Sequence, residues 1–270
     1  MRELFDAVAD GDLSPAEAEA RLTGYASTDA GRFDAGRESR SGVPEAVLAD
    51  GKTTAEITTL AETALTTTGR AIVTRIDTDR AATVTAAVTG DDDGVAGDGS
   101  VQADGDLTDE YHDRARVLTL HAEGFERPAL DATVAVVTGG TADRAVAGEA
   151  TVVLREMGAT VERIDDVGVA HLGRVLDELD AIRAADVAVV AAGREGALPT
   201  VVAGLVDTPV VGLPVASGYG MGGDGEAALS GLLQSCTALS VVNVDAGFTA
   251  GVQAGLIART VASARAEQPD

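Results

Sequence analysis

The chain has 270 residues, room for one large domain or two small ones at roughly 150 residues per domain. With 45% apolar residues but no apolar run near the ~20 needed to cross a bilayer, it reads as a soluble, cytoplasmic globular protein. The opening MRELFDAVADGD lacks a basic region followed by an apolar one, so no secretory leader is expected. Forty-four acids against 20 bases give a net charge of −24, which excludes the basic footprint that nucleic acid or an anionic membrane requires.

Cys236 is the single cysteine, so intrachain disulfides are excluded; with only three histidines (His112, His121, His171), a Cys/His zinc cage is excluded too. All bases but one are arginine. A surface rich in Asp, Glu and Thr and bare of lysine suits work at high salt, where repulsion is screened over a few Å. In that setting the one lysine, Lys52, is a candidate for a chemical role.

Residues 1–128 read as a smaller α+β domain. Two short helices at about 2–9 and 14–22 precede the charged stretch FDAGRESRSGVPEAVLADGKT (33–53). The spacing then predicts a helix over 54–68 and strands over 71–76, 82–88 and 115–121. Between the last two strands, TGDDDGVAGDGSVQADGDLTDE (89–110) carries eight Asp or Glu and reads as a solvated loop.

From residue 129 the pattern becomes regular. The runs TVAVVTGG (133–140), ATVERID (159–165), DVAVVAAG (186–193), PVVGLPV (209–215) and SVVNVD (240–245) are β-branched and end in Gly or Asp, as buried strands do. Helix-period segments alternate with them at 144–158, 169–183, 195–206 and 226–237, and a last helix covers 247–264. This alternation implies right-handed βαβ units, hence an α/β fold: a flavodoxin-like, doubly wound parallel sheet over 129–264, with a short tail at 265–270. Ligands in that architecture sit beyond the carboxyl ends of the strands.

Two glycine-rich loops fall at those ends. ASGYGMGGDG (216–225) contains Gly218-x-Gly220-x-x-Gly223, with Asp245 closing the next strand. This matches the dinucleotide fingerprint in spacing, but in the fourth strand unit rather than the first; a plain flexible loop is the other reading. In TGGTAD (138–143), Thr138, Gly139, Gly140, Thr141 and Asp143 form either a phosphate or ribose cradle or a capped turn. No Walker motif is present, since Gly51-Lys52-Thr53 lacks the upstream glycine. Cys236, expected near the end of the 226–237 helix, is either a small buried hydrophobe or a nucleophile that needs a positive charge from its substrate.

Taken together, TGGTADRAVAGEA, DVGVAHLGRVL, GREGALPTVVAGLVDTPVVGLPVASGYG and LLQSCTALSVVNVDAGFTAG resemble the C-terminal domain of the LarB family. FDAGRESRSGVPEAVLADGKT, Thr74–Arg75 and YHDRAR (111–116) resemble its N-terminal region. The C-terminal half is also similar to the AIR carboxylases and mutases of purine synthesis, which lack the N-terminal motif and the cysteine.

The resemblance implies a pyridinium-3,5-biscarboxylic acid mononucleotide synthase of nickel-pincer cofactor biosynthesis. Such an enzyme carboxylates nicotinic acid adenine dinucleotide at ring carbon C5 with CO2, then hydrolyses its phosphoanhydride to release AMP. It implies Cys236 as nucleophile at C4 and Glu195 as a base screened from water. Ser217, Gly218, Tyr219, Gly220 and Asp245 join the TGGTAD residues as substrate contacts. Asp143 and Asp166 are candidates for ribose contacts or for holding a Mg²⁺. Arg37, Arg40, Lys52 and Arg75 are candidates for binding phosphates or the nicotinate carboxylate. No tightly bound cofactor is expected, and assembly into tetramers or octamers is. Arg194 stands where the family has an apolar residue. The alternative is an aminoimidazole ribonucleotide carboxylase or mutase of the purine pathway.

Overall fold

A computed structural model describes residues 8, 9, 11, 15–90 and 107–267. The chain divides into two compact units, residues 1–126 and 127–270. Most of the helix read at 2–9, the acidic stretch 91–106 and the last three residues lie outside the described residues.

In the first unit, helix α1 (Pro15–Thr23) leads into the antiparallel pair β1 (Ala26–Thr28) and β2 (Gly31–Phe33), then the single turn α2 (Arg37–Ser41) and β3 (Val47–Leu48). Helix α3 (Thr54–Thr68) begins in a capping box: Thr53 Oγ1 accepts from the Glu56 amide, and Glu56 Oε2 accepts from the Thr53 amide. Strand β4 (Arg70–Thr74), helix α4 (Thr78–Thr89) and strands β5 (Thr108–His112) and β6 (Val117–His121) complete the unit. The four-stranded sheet has the order β3-β4-β6-β5, and Ile57, Val73, Val84 and Leu118 pack in its core.

Two sequence expectations fail here. Residues 82–88 are part of helix α4 rather than a strand. Asp77 caps its start by accepting from the Arg80 amide, Gly90 closes it in the left-handed conformation, and Ala81, Val84 and Val88 bury one helical face. The expected loop also yields its last residues to a strand, because Thr108–His112 pairs along the whole of β6.

The second unit is a five-stranded parallel sheet. Its strands are β7 (Thr133–Thr138), β8 (Thr160–Ile164), β9 (Val187–Ala192), β10 (Val210–Pro214) and β11 (Ser240–Val241), in the order β11-β10-β9-β7-β8. This is the flavodoxin-like order, with its switch point between β7 and β9. Along β9, Val187, Val189 and Ala191 join one core cluster while Ala188, Val190 and Ala192 join the other. Such complete burial is what strands covered on both faces require.

Helix α5 (Arg144–Glu156) and the long C-terminal helix α10 (Gly247–Ala266) cover the first face. The other face carries α6 (Leu172–Asp177), α7 (Leu179–Ala184) and α8 (Ala197–Ala203). The single helix expected over 169–183 is thus two, broken at Glu178 (φ −100°, ψ 4°). Helix α9 (Glu226–Leu233) is four residues shorter than the sequence pattern predicts.

Candidate functional site

A cavity of about 710 Å³ opens at the carboxyl ends of β7, β8, β9 and β10, across the switch point. Four loops build it. The first contributes Gly139, Gly140, Thr141 and Asp143; the second Asp166 and Gly168; the third Arg194 and Glu195; the fourth Ser217. Close approach of these loops depends on glycine. A Cβ at Gly168 would lie 2.5 Å from the Gly139 carbonyl oxygen, and one at Gly193 would overlap the Ser217 hydroxyl.

Asp143 is the centre of this arrangement. It is buried, with 4% of its surface exposed. Ser217 Oγ donates to its Oδ1 at 2.8 Å, and the Gly140 amide donates to Oδ2 at 2.8 Å. Burial pushes its pKa up, reinforced by the negative charge of Asp245 and opposed by the hydrogen bonds from Ser217, Gly140 and Gly193. One carboxyl therefore ties the β7 loop to the β10 loop across the mouth of the sheet.

Glu195 lines the same cavity but is exposed. The expected screening from water falls on Asp143 instead. Two further cavity groups carry positive charge. Arg174 donates to the Asp166 backbone oxygen at 2.8 Å and pairs with its carboxylate at 3.2 Å. Arg194, at φ 53°, holds its guanidinium 4.4 Å from the centroid of the Tyr219 ring. Arg174 lies within DVGVAHLGRVL (166–176) but is not marked out there as a site residue, because the sequence pattern extends its helix without a break.

Some expected contacts have supporting roles here. The Thr138 hydroxyl is fully buried, donating to Asp165 Oδ1 at 2.9 Å and accepting from the Asp166 amide at 3.1 Å, so it shapes the second loop instead of facing the cavity. Asp245 Oδ1 accepts from the Ala216 amide at 2.9 Å and holds the root of the fourth loop. Gly218, Tyr219 and Gly220 extend beyond the cavity lining, and Tyr219 is 79% exposed.

The family description AIR carboxylase matches residues 133–269, and LarB/PurE-like N-terminal domain matches residues 25–122. The chain belongs to the AIR carboxylase family. An uncharacterized protein of Methanocaldococcus jannaschii is 32% identical over 265 residues, covering 96% of this chain and 97% of its own. Among solved structures, PurE of Treponema denticola is 22% identical over 49% of this chain and 80% of its own, with a TM-score of 0.38. A variant of PurE2 from the same organism is 19% identical over 53% of this chain and 93% of its own, with a TM-score of 0.37. The N-terminal domain marks this AIR carboxylase as LarB-like, and its function is of the carboxylase or mutase type.

In this AIR carboxylase Cys236 stands in the loop between α9 and β11, past the helix end and exposed, and it is not among the residues lining its own chain's cavity. The N-terminal cations belong to the first unit. There Arg37 pairs with Glu45 at 2.7 Å, Arg40 with Asp34 at 2.6 Å and Arg75 with Asp50 at 3.5 Å, while Lys52 Nζ donates to the Leu48 carbonyl at 2.8 Å.

The carboxylates offered for Mg²⁺ are engaged within the protein. Both Asp143 oxygens accept hydrogen bonds and Asp166 is paired with Arg174, while no group of three carboxylate, cysteine or histidine ligands lies together among the described residues. Among the described residues no helix is long and apolar enough to cross a membrane.

Proposed function

We propose that the protein carboxylates the pyridinium ring of nicotinic acid adenine dinucleotide at C5 and hydrolyses its phosphoanhydride. The products are AMP and pyridinium-3,5-biscarboxylic acid mononucleotide. One observation carries the reading: an AIR carboxylase domain and a LarB/PurE-like N-terminal domain occur in the same chain. An exposed lone thiol and a cavity at the sheet's switch point agree with it.

The chemistry accounts for the residues. A pyridinium C5 is electron-poor and does not attack CO2. Addition of the Cys236 thiolate at C4 neutralises the ring nitrogen and leaves C5=C6–N1 as an enamine. C5 then bonds to CO2, and the iminium formed at N1 loses the C5 proton to a base. Expulsion of the thiolate from C4 restores the aromatic cation. The net exchange is a ring hydrogen for a carboxylate and a released proton, with no change of oxidation state in the protein.

Glu195 is the base in this scheme, because it is an accessible carboxylate in the cavity. Asp143 and Ser217 hold the first and fourth loops so that the Thr141 hydroxyl at the cavity wall receives the ribose or phosphate. Arg174 and Arg194 meet the diphosphate. No step is assigned to a metal; any Mg²⁺ arrives bound to the diphosphate as part of the substrate.

The test supplies the protein with either the dinucleotide or aminoimidazole ribonucleotide, each with bicarbonate, and follows products by mass. AMP and a dicarboxylated mononucleotide in equal amounts support the proposal. Turnover of the imidazole substrate, indifferent to Cys236→Ser, replaces it with the purine-type activity.

A further inference from the structure

The proposed reaction has two halves, and Cys236 and Glu195 serve only the first, the carboxylation of the ring. Opening the phosphoanhydride is a displacement at phosphorus, which is eased by a nucleophile with a base of its own. At the carboxyl ends of the strands, Thr138 and Ser217 each donate a hydroxyl to an aspartate, and the two differ in kind. The Thr138 hydroxyl is fully buried, donates to Asp165 and accepts from the Asp166 amide, so both of its hydrogen-bonding roles are engaged inside the protein. The Ser217 hydroxyl donates to Asp143 Oδ1 at 2.8 Å, is half-buried, and belongs to the cavity wall. No described residue donates a hydrogen bond to it.

Behind Ser217, the buried Asp143 is held by the amides of Gly140 and Gly193. A hydroxyl within hydrogen-bond reach of a base that other groups orient is the arrangement that activates a serine. Burial strengthens the base, since a desolvated carboxylate accepts a proton more readily than one in water. Arg174 and Arg194 line the same cavity, where they offset the negative charge of a diphosphate as the serine oxygen approaches.

We infer that Ser217 is the nucleophile that opens the phosphoanhydride and that Asp143 is its base. The Ser217 oxygen attacks the phosphorus on the pyridinium side and gives its proton to Asp143. The bond from that phosphorus to the bridging oxygen breaks, and AMP departs with that oxygen and the proton. Water then attacks the phosphodiester on Ser217 and passes a proton to Asp143. Ser217 leaves with that proton, and the mononucleotide is released. One water is consumed, and both side chains return to their starting state. The pyridinium-side phosphorus is the one attacked because the ring itself reacts beside Glu195, in this same cavity. The inference rests on the proposed dinucleotide substrate.

Ser217→Ala protein is supplied with the dinucleotide and bicarbonate, and products are followed by mass. Carboxylated dinucleotide with its phosphoanhydride intact is expected to accumulate, while AMP release falls roughly a hundredfold or more. AMP release at the wild-type rate overturns the inference. Ser217 also ties two loops, so if both halves are lost together, capture of the nucleophile decides. Wild type and Asp143→Asn are treated with diisopropyl fluorophosphate, whose phosphorus bonds to an activated serine oxygen as fluoride leaves, and the digests are examined by mass. Modification of the peptide containing Ser217 in the wild type, and at least tenfold less of it in Asp143→Asn, is expected. A wild-type peptide left unmodified, or one modified equally in Asp143→Asn, overturns the pair. If the wild type carboxylates no dinucleotide at all, the substrate reading fails and the labelling alone decides the role of Ser217.

Discussion

Asp143 shows how one side chain both holds the site and limits the pH range of the fold. Its pKa is raised, so the native state favours the neutral acid more than the unfolded chain does. The stabilisation this represents is fully present below the ordinary aspartate range and is lost as pH rises through the native pKa. Asp143→Asn has no such titration. The stability of the variant relative to wild type should therefore improve as pH rises from about 4 to 8, measured as the difference in urea midpoints. A constant difference would mean that Asp143 titrates as it does in the unfolded chain.

Arg194 makes the complementary case. It has no ion-pair partner among the described residues and lines the cavity beside Tyr219. If it meets the diphosphate only as a binding contact, Arg194→Leu raises KM for the dinucleotide about tenfold and leaves kcat near wild type. A fall in kcat alone would place it in the chemical step. Of these residues, Asp143 is visible in the sequence because a loop ending in an acid before a helix is a local signal. That it, and not Glu195, is the buried acid is not visible, because burial depends on Ser217, 74 positions further along.

At the scale of elements, the parallel strands are readable because complete burial writes itself as continuous β-branched runs. Strand β5 is not, since Thr108, Asp109 and Glu110 are exposed and carry no apolar period. Helix α4 passes for a strand because its alanines and threonines fit either period, and only the Asp77 cap and Gly90 decide it.

The packing of α10 on α5 rests on a glycine stripe four residues apart. At Gly247, Gly251 and Gly255 a side chain would meet Val146, Ala150 and Met157 respectively. At Gly251 the obstacle is backbone, since a Cβ there would lie 2.8 Å from the Ala150 carbonyl oxygen. Gly251→Val should then cost about 3 kcal/mol, after allowing for the gain in helix propensity, and lower the urea midpoint accordingly. An unchanged midpoint would show that the helices separate freely.

For the whole molecule, charge dominates. Repulsion among 44 acids is long-ranged at about 0.1 M salt, where the screening length is ~10 Å, and confined to ~3 Å at about 1 M. Thermal stability should accordingly rise over that range, and a flat response would remove the argument for work at high salt.

The central claim is a bond between the Cys236 sulfur and the pyridinium ring, and it can be observed directly. Wild-type protein is mixed with the dinucleotide in CO2-depleted buffer, quenched, digested and examined by mass. The account predicts the dinucleotide's mass, or that of its mononucleotide half, on the peptide that contains Cys236, and nothing on that peptide in Cys236→Ser. Full carboxylation by Cys236→Ser, with no modified peptide in the wild type, would contradict it.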